Sequence, residues 1–191
     1  MYRSFADVIT ADMVKLDVPE AEKNVITLKP SETVIELAEK IAARADRIYG
    51  GGVDPHEDNM LKVTSDGKKL ALDPRCFVSE SADEQGSKLN EAAQRIYEIW
   101  EETTEDKGTQ IVFCDLSTPK GKFAEYVQGI NFDAYNELKY KLVQSGIPAE
   151  EIAFIHDANT DEQKQALFDK VNSGAVRVLI GSTEKCGAGT N

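Results

Sequence analysis

Val176-Arg-Val-Leu-Ile-Gly-Ser-Thr-Glu-Lys-Cys-Gly-Ala-Gly-Thr-Asn191 decides how this chain is read. A short aliphatic, β-branched run ends in a loop of glycines and hydroxyls, the pattern of a buried strand feeding a ligand-approaching loop. The same grammar recurs upstream. Gln110-Ile-Val-Phe-Cys114 and Ile152-Ala-Phe-Ile155 are short apolar runs, and the spacing predicts strands over 109–114, 152–155 and 176–181. Between them, helical periodicity predicts one helix from about Phe132 to Ser145 and another from about Asp161 to Asn172. Thr160 with Gln163 forms a capping box, and Gly174 stands where a C-terminal glycine belongs. Strand and helix in alternation imply an α/β fold with a mostly parallel sheet.

Working toward the amino end, Ser87 caps a helix whose apolar stripe is Leu89, Ala92, Ala93, Ile96, Tyr97, Ile99 and Trp100. Residues 53–86 read as a small helical or irregular connector, with Met60-Leu-Lys-Val-Thr-Ser and Lys69-Leu-Ala-Leu-Asp set apart by Asp66-Gly67. Ser31 caps an amphipathic helix over 31–49 that ends at Gly50-Gly51-Gly52. That triple glycine follows a helix and has no Gly-Lys-Ser/Thr after it, so it reads as a cap and hinge rather than a phosphate loop. Asn24-Val-Ile-Thr-Leu-Lys29 predicts one short strand ahead of Pro30. The chain divides into a lead-in over 1–86 and an α/β unit over 87–191.

The formal charge of −12 over 191 residues argues against autonomous binding to a polyanion. Glu80 to Asp106 holds nine acidic residues against Lys88 and Arg95, the composition of a solvated helix face. No apolar run approaches the roughly 20 residues that cross a bilayer. The amino end resembles neither a secretory signal nor a transit peptide, so a cytoplasmic location is expected. Cys76, Cys114 and Cys186 are odd in number and widely spaced, which argues against a disulfide framework or a zinc site.

Ligands of open parallel sheets lie beyond the carboxyl ends of the strands, so those loops hold the candidate residues. After the first strand, Asp115-Leu-Ser-Thr-Pro-Lys-Gly-Lys122 offers hydroxyls and two lysines for phosphates, yet lacks the glycine five positions before Gly121 that a Walker A loop needs. After the second, His156-Asp-Ala-Asn-Thr160 leads into a helix N-terminus. After the third, Ser182, Thr183, Gly187, Gly189, Thr190 and Asn191 combine close backbone approach with uncharged hydrogen-bonding groups. Gly187-Ala-Gly189 could also open a dinucleotide fingerprint, although that motif follows its strand directly. No metal-ligand spacing stands out, and no catalytic residue is expected.

Taken together, Gln110 to Thr118, Ile152 to Thr160, Phe168-Asp-Lys-Val-Asn-Ser-Gly174 and Val176 to Asn191 resemble the second RecA-like domain of superfamily 2 helicases. The resemblance is to the Swi/Snf-like helicases of phages and mobile elements, often fused to an adenine-specific DNA methylase. The lead-in, from Phe5 to Met13 through Asn59 to Arg75, looks like the segment that joins the two RecA-like domains in those proteins.

The resemblance implies a three-layer RecA-like domain, incomplete at its carboxyl end, behind a helical lead-in. It assigns Asp115, Ser117, Thr118, Lys120 and Lys122 to a motif IV-like loop beside the nucleotide cleft or the DNA backbone. Ser182, Thr183, Gly187, Gly189, Thr190 and Asn191 fall in a motif V-like loop that couples nucleotide to DNA. His156 stands where many relatives have His-Gly, and Lys164 where they have an arginine; both become possible DNA-facing positions that depart from the commoner pattern. ATP and Mg2+ would belong to the full-length parent, with no tight binding to this chain alone. Partners would be the first RecA-like domain of the same parent and duplex DNA, with no membrane. The Walker lysine and carboxylate are absent here, and the Gln-x-x-Gly-Arg-x-x-Arg run of motif VI would lie beyond Asn191. The expectation is a fragment ending within motif V that does not catalyse alone. The alternatives are a degenerate RecA-like interaction module using the acidic helix at 87–106, and a small-molecule enzyme holding a nucleotide cofactor at the glycine loop.

Overall fold

The computed structural model describes residues 21–127, 129 and 132–186. Its centre is an open sheet of three parallel strands, β1 (Gln110–Phe113), β2 (Ile152–Phe154) and β3 (Val178–Gly181), in the order β1-β3-β2. The last strand in sequence is therefore the middle one in space. Gln110 pairs with Val178 on one side, and Ile152 pairs with the same Val178 on the other. This position explains the composition of β3, because a central parallel strand is covered on both faces and carries apolar residues without alternation. All four of its residues are buried.

Successive strand side chains point to opposite faces, so β3 nucleates two cores. Val178 and Ile180 join the larger one with Leu89, Ala93 and Ile96 of α3 (Lys88–Glu102) and, beyond the short α4 (Phe123–Val127), Tyr135, Leu138 and Leu142 of α5 (Ala134–Gln144). Leu179 points the other way, to Ile155 and to Leu167, Phe168 and Val171 of α6 (Asp161–Asn172). Helices thus cover both faces of the sheet, as the sequence pattern implied. Each aliphatic side chain fully removed from water contributes roughly 1.5–3 kcal/mol before the entropy of ordering is counted.

Helix ends follow local chemistry. Ser31, Asn59, Ser87 and Asp133 each accept a backbone N–H from the first turn of the helix they open. Thr160 and Gln163 form the reciprocal capping box, and Gly174 takes a φ of 71°, where a side chain would be strained.

The lead-in is a helical hairpin of α1 (Glu32–Tyr49) and α2 (Met60–Leu72). Asp66-Gly67 does not interrupt α2, which runs through both residues. Arg44 clamps the hairpin, bonding Asp58 at 2.9 Å and Asp66 at 2.8 Å. The strand expected over 24–29 does not form. Residues 21–30 carry no strand, and Val25 and Ile26 are 74% and 55% exposed. The segment has strand-forming composition but no partner in the ladder, and composition alone forms no sheet.

Two arginines tie distant segments together: Arg75 joins the lead-in to α5, and Arg177 joins the start of β3 to the end of α3. Arg75 bonds buried Asp73 at 2.9 Å and Glu137 of α5 at 2.8 Å, and lies over the Phe132 ring at 4.7 Å. Burial opposes its charge, but Asp73 and Glu137 hold its pKa above the ordinary arginine value. Arg177, 3% exposed, donates to the carbonyls of Gly108 and Trp100 and to Thr103 Oγ1, with its guanidinium over the Trp100 ring. Trp100 in turn donates its indole N–H to Glu151. It is a structural side chain, as its place in the apolar stripe implied.

Candidate functional site

The loops after β1 and β3 meet at the carboxyl end of the sheet. Asp115 Oδ1 accepts the backbone N–H of Thr183 at 2.6 Å, and its Oδ2 accepts the Thr183 hydroxyl at 2.9 Å. Thr183 opens α7 (Thr183–Cys186), a single turn, so Asp115 caps that turn from a distant loop. Ser182 supports the turn as well, its carbonyl accepting from Cys186 and its hydroxyl from Lys185. The turn folds back closely. A Cβ on Gly181 would lie 2.2 Å from Cys186 Sγ and 2.7 Å from Ile155 Cγ2, so only glycine fits there.

Ser117 is placed differently from a ligand-facing hydroxyl. Its φ of 53° is unusual for a residue with a side chain, and its Oγ accepts the N–H of Ala134 at 3.0 Å. That contact, with Lys120 N–H donating to Asp133 and Asn136 Nδ2 donating to the Gly121 carbonyl, straps the loop to the start of α5. Thr118, Lys120 and Lys122 remain exposed. Of the loop's candidates, they are the side chains open to solvent together with Asp115, which is itself engaged by Thr183.

His156 lies in the turn after β2, half-buried, with its ring edge-on to Tyr135 at 5.2 Å. Burial lowers its pKa, the nearby Lys185 lowers it further, and Asp157 opposes both. Its Nδ1 is buried with no hydrogen-bond partner among the described residues. Lys164 sits in the first turn of α6, 3.9 Å from Asp161, and the structure does not bring it to the Asp115–Thr183 contact. Gly187, Gly189, Thr190 and Asn191 lie outside the described residues, as do Phe5 to Met13.

Tyr135 is the residue that sequence reasoning missed. Buried beneath the loops, it donates its hydroxyl to the Cys114 carbonyl and sets its ring edge against Phe154 and His156. Burial raises its pKa well above the ordinary phenol range. One signal was available: a tyrosine in the first turn of a helix, three and seven residues ahead of the inward Leu138 and Leu142. Lys139 is similar, its amine donating to the Ile152 carbonyl at 2.7 Å between the rings of Phe123 and Phe154. Burial pushes its pKa down, while Asp157 and Glu150 act the other way.

Among the described residues no group of three or more His, Cys, Asp or Glu side chains could hold a metal ion, and no helix is long and apolar enough to cross a membrane. The arrangement offers hydroxyl, amide and lysine groups on loops at one end of a parallel sheet, a set suited to phosphate oxygens. No protein-family model matches the chain, and neither the curated proteins nor the solved structures show one similar to it.

Proposed function

We propose that this chain is the second RecA-like domain of a Swi/Snf-like, ATP-driven DNA translocase or helicase and supplies one wall of the cleft that holds nucleotide and duplex DNA. The observation that supports this reading is the Asp115–Thr183 contact. It locks the loop after the first strand to the loop after the central strand, so that a change sensed by one is carried to the other. In such a cleft ATP with Mg2+ brings the phosphoryl group, and the opposing domain contributes the lysine and carboxylate that neutralise it. The part of this chain is positional: Thr118, Lys120 and Lys122 face phosphates, and Ser182 and Thr183 couple them to the sheet. The net charge of −12 fits a part that leaves most DNA affinity to its partner domain.

The experiment is to measure ATP turnover by this chain alone, with and without DNA, and to read the flanking open reading frame. No turnover, a Gly-Lys-Ser/Thr loop upstream and a paired-arginine run downstream are the expected results. Robust turnover lost on Lys122→Ala, or the absence of both flanking motifs, overturns the proposal.

A second reading, an interaction module for a basic partner, draws on one observation. Glu101, Glu102, Glu105 and Asp106 are all exposed at and just past the end of α3. A flanking sequence without either motif, together with salt-sensitive binding of a lysine-rich peptide, would favour it.

A further inference from the structure

β1 ends the sheet. The N–H groups of Gln110 and Cys114 go to the carbonyls of Arg177 and Gly181 on the β3 side. Alternation along a parallel strand turns the N–H and C=O of Ile111 and Phe113 the other way, toward the open edge. Their side chains are 53% and 55% exposed, an unusual state for two large apolar residues side by side on a sheet edge.

A groove of about 420 Å³ runs along this edge. Ile111, Val112 and Phe113 line it on the strand side, α3 contributes Ala92, Arg95 and Ile96, and Ile26 and Leu28 of the extended segment before α1 complete it. That segment, Asn24-Val-Ile-Thr-Leu-Lys29, is rich in strand-forming residues. Among the described residues no backbone hydrogen bond joins it to β1. Two exposed apolar segments, each with backbone groups that have no partner among the described residues, therefore line a single groove, and both gain by closing it.

We infer that Asn24–Lys29 is a strap that closes onto the free edge of β1 and pairs with it as a fourth strand. Leu28, half-buried at the groove, anchors the strap, while Val25 and Ile26 are the residues that move. Closure ties the α1–α2 hairpin to the strand whose end carries Asp115, two residues beyond Phe113. The hairpin then reports on the loop that holds Thr183. This inference is independent of the function proposed above.

Hydrogen exchange tests it on the whole chain. With the strap closed, the Ile111 and Phe113 amides exchange slowly, and Thr27→Pro, which removes a backbone donor from the strap, speeds both by about tenfold or more. The Val178 and Leu179 amides, already inside the ladder, serve as the internal control and do not change. If Thr27→Pro also loosens that control, Ile26→Asp replaces it, placing a charge in the groove without altering the backbone, and the same loss at Ile111 and Phe113 is expected. Equal exchange of those two amides in the native chain and the variant overturns the inference. So does protection that grows with protein concentration, which would assign the edge to a second copy.

Discussion

Asp115 and Thr183, 68 residues apart in sequence, are joined by two hydrogen bonds at the carboxyl end of neighbouring strands. A carboxylate that accepts both the N–H and the hydroxyl of one residue acts as a helix cap supplied by another loop. Asp115→Ala should destabilise the chain by about 1 kcal/mol, the usual effect of losing a cap, and should speed exchange of the Thr183 amide. Thr183→Val, which keeps the N–H and loses the hydroxyl, should cost less. Urea unfolding with exchange measurements checks both, and an Asp115→Ala variant with native exchange at Thr183 would show that the contact does not hold the loop.

Gly181 is the position where the return of α7 is tightest. A Cβ there meets Cys186 Sγ at 2.2 Å and Ile155 Cγ2 at 2.7 Å, and neither atom is the end of a long flexible side chain. Gly181→Ala should lower the thermal midpoint by several degrees, an overpacking cost of about 1–3 kcal/mol. Gly67→Ala, where a Cβ would meet nothing, is the matched control and should be neutral or slightly stabilising.

Arg177 satisfies two carbonyls and a hydroxyl from the end of α3 and the turn before β1. Arg177→Ala takes the side-chain donor from the Gly108 carbonyl, at about 1–3 kcal/mol where water cannot reach it, while the Trp100 carbonyl keeps the Thr104 hydroxyl. Arg177→Lys should recover only part of the loss, because one ammonium cannot span the Gly108 and Trp100 carbonyls as the planar fork does. Chemical unfolding of the two variants measures the difference, and equal stability of lysine and arginine would refute the bridging role.

His156 gives the stability a pH dependence with a defined sign. Its folded pKa is lowered below the ordinary value of 6.5, so the folded state binds the proton less readily than the unfolded chain. Its contribution is therefore fully present above about pH 6.5 and is lost as pH falls from there toward the folded value. Thermal midpoints measured from neutral pH downward should fall less steeply for His156→Gln than for the native chain. An unchanged slope would mean that the imidazole is solvated in both states.

The sequence by itself determined what depends on contacts three or four residues long. The apolar runs became strands, Ser31 and Ser87 capped the helices expected of them, Thr160 met Gln163, and Gly174 took the left-handed turn. These outcomes are legible because a side chain can reach its own next turn in almost any fold. Tertiary structure alone decided that the last strand lies in the middle, that Asp115 reaches Thr183, and that Ser117 is recruited to the start of α5 instead of facing a ligand. It also decided that Asn24–Lys29, a strand by composition, lies in extended form beside the β1 edge and outside the described ladder, and that the one arginine in an aliphatic run is buried under Trp100. Each of these depends on which distant segments the topology brings together, and local propensity carries no record of that choice.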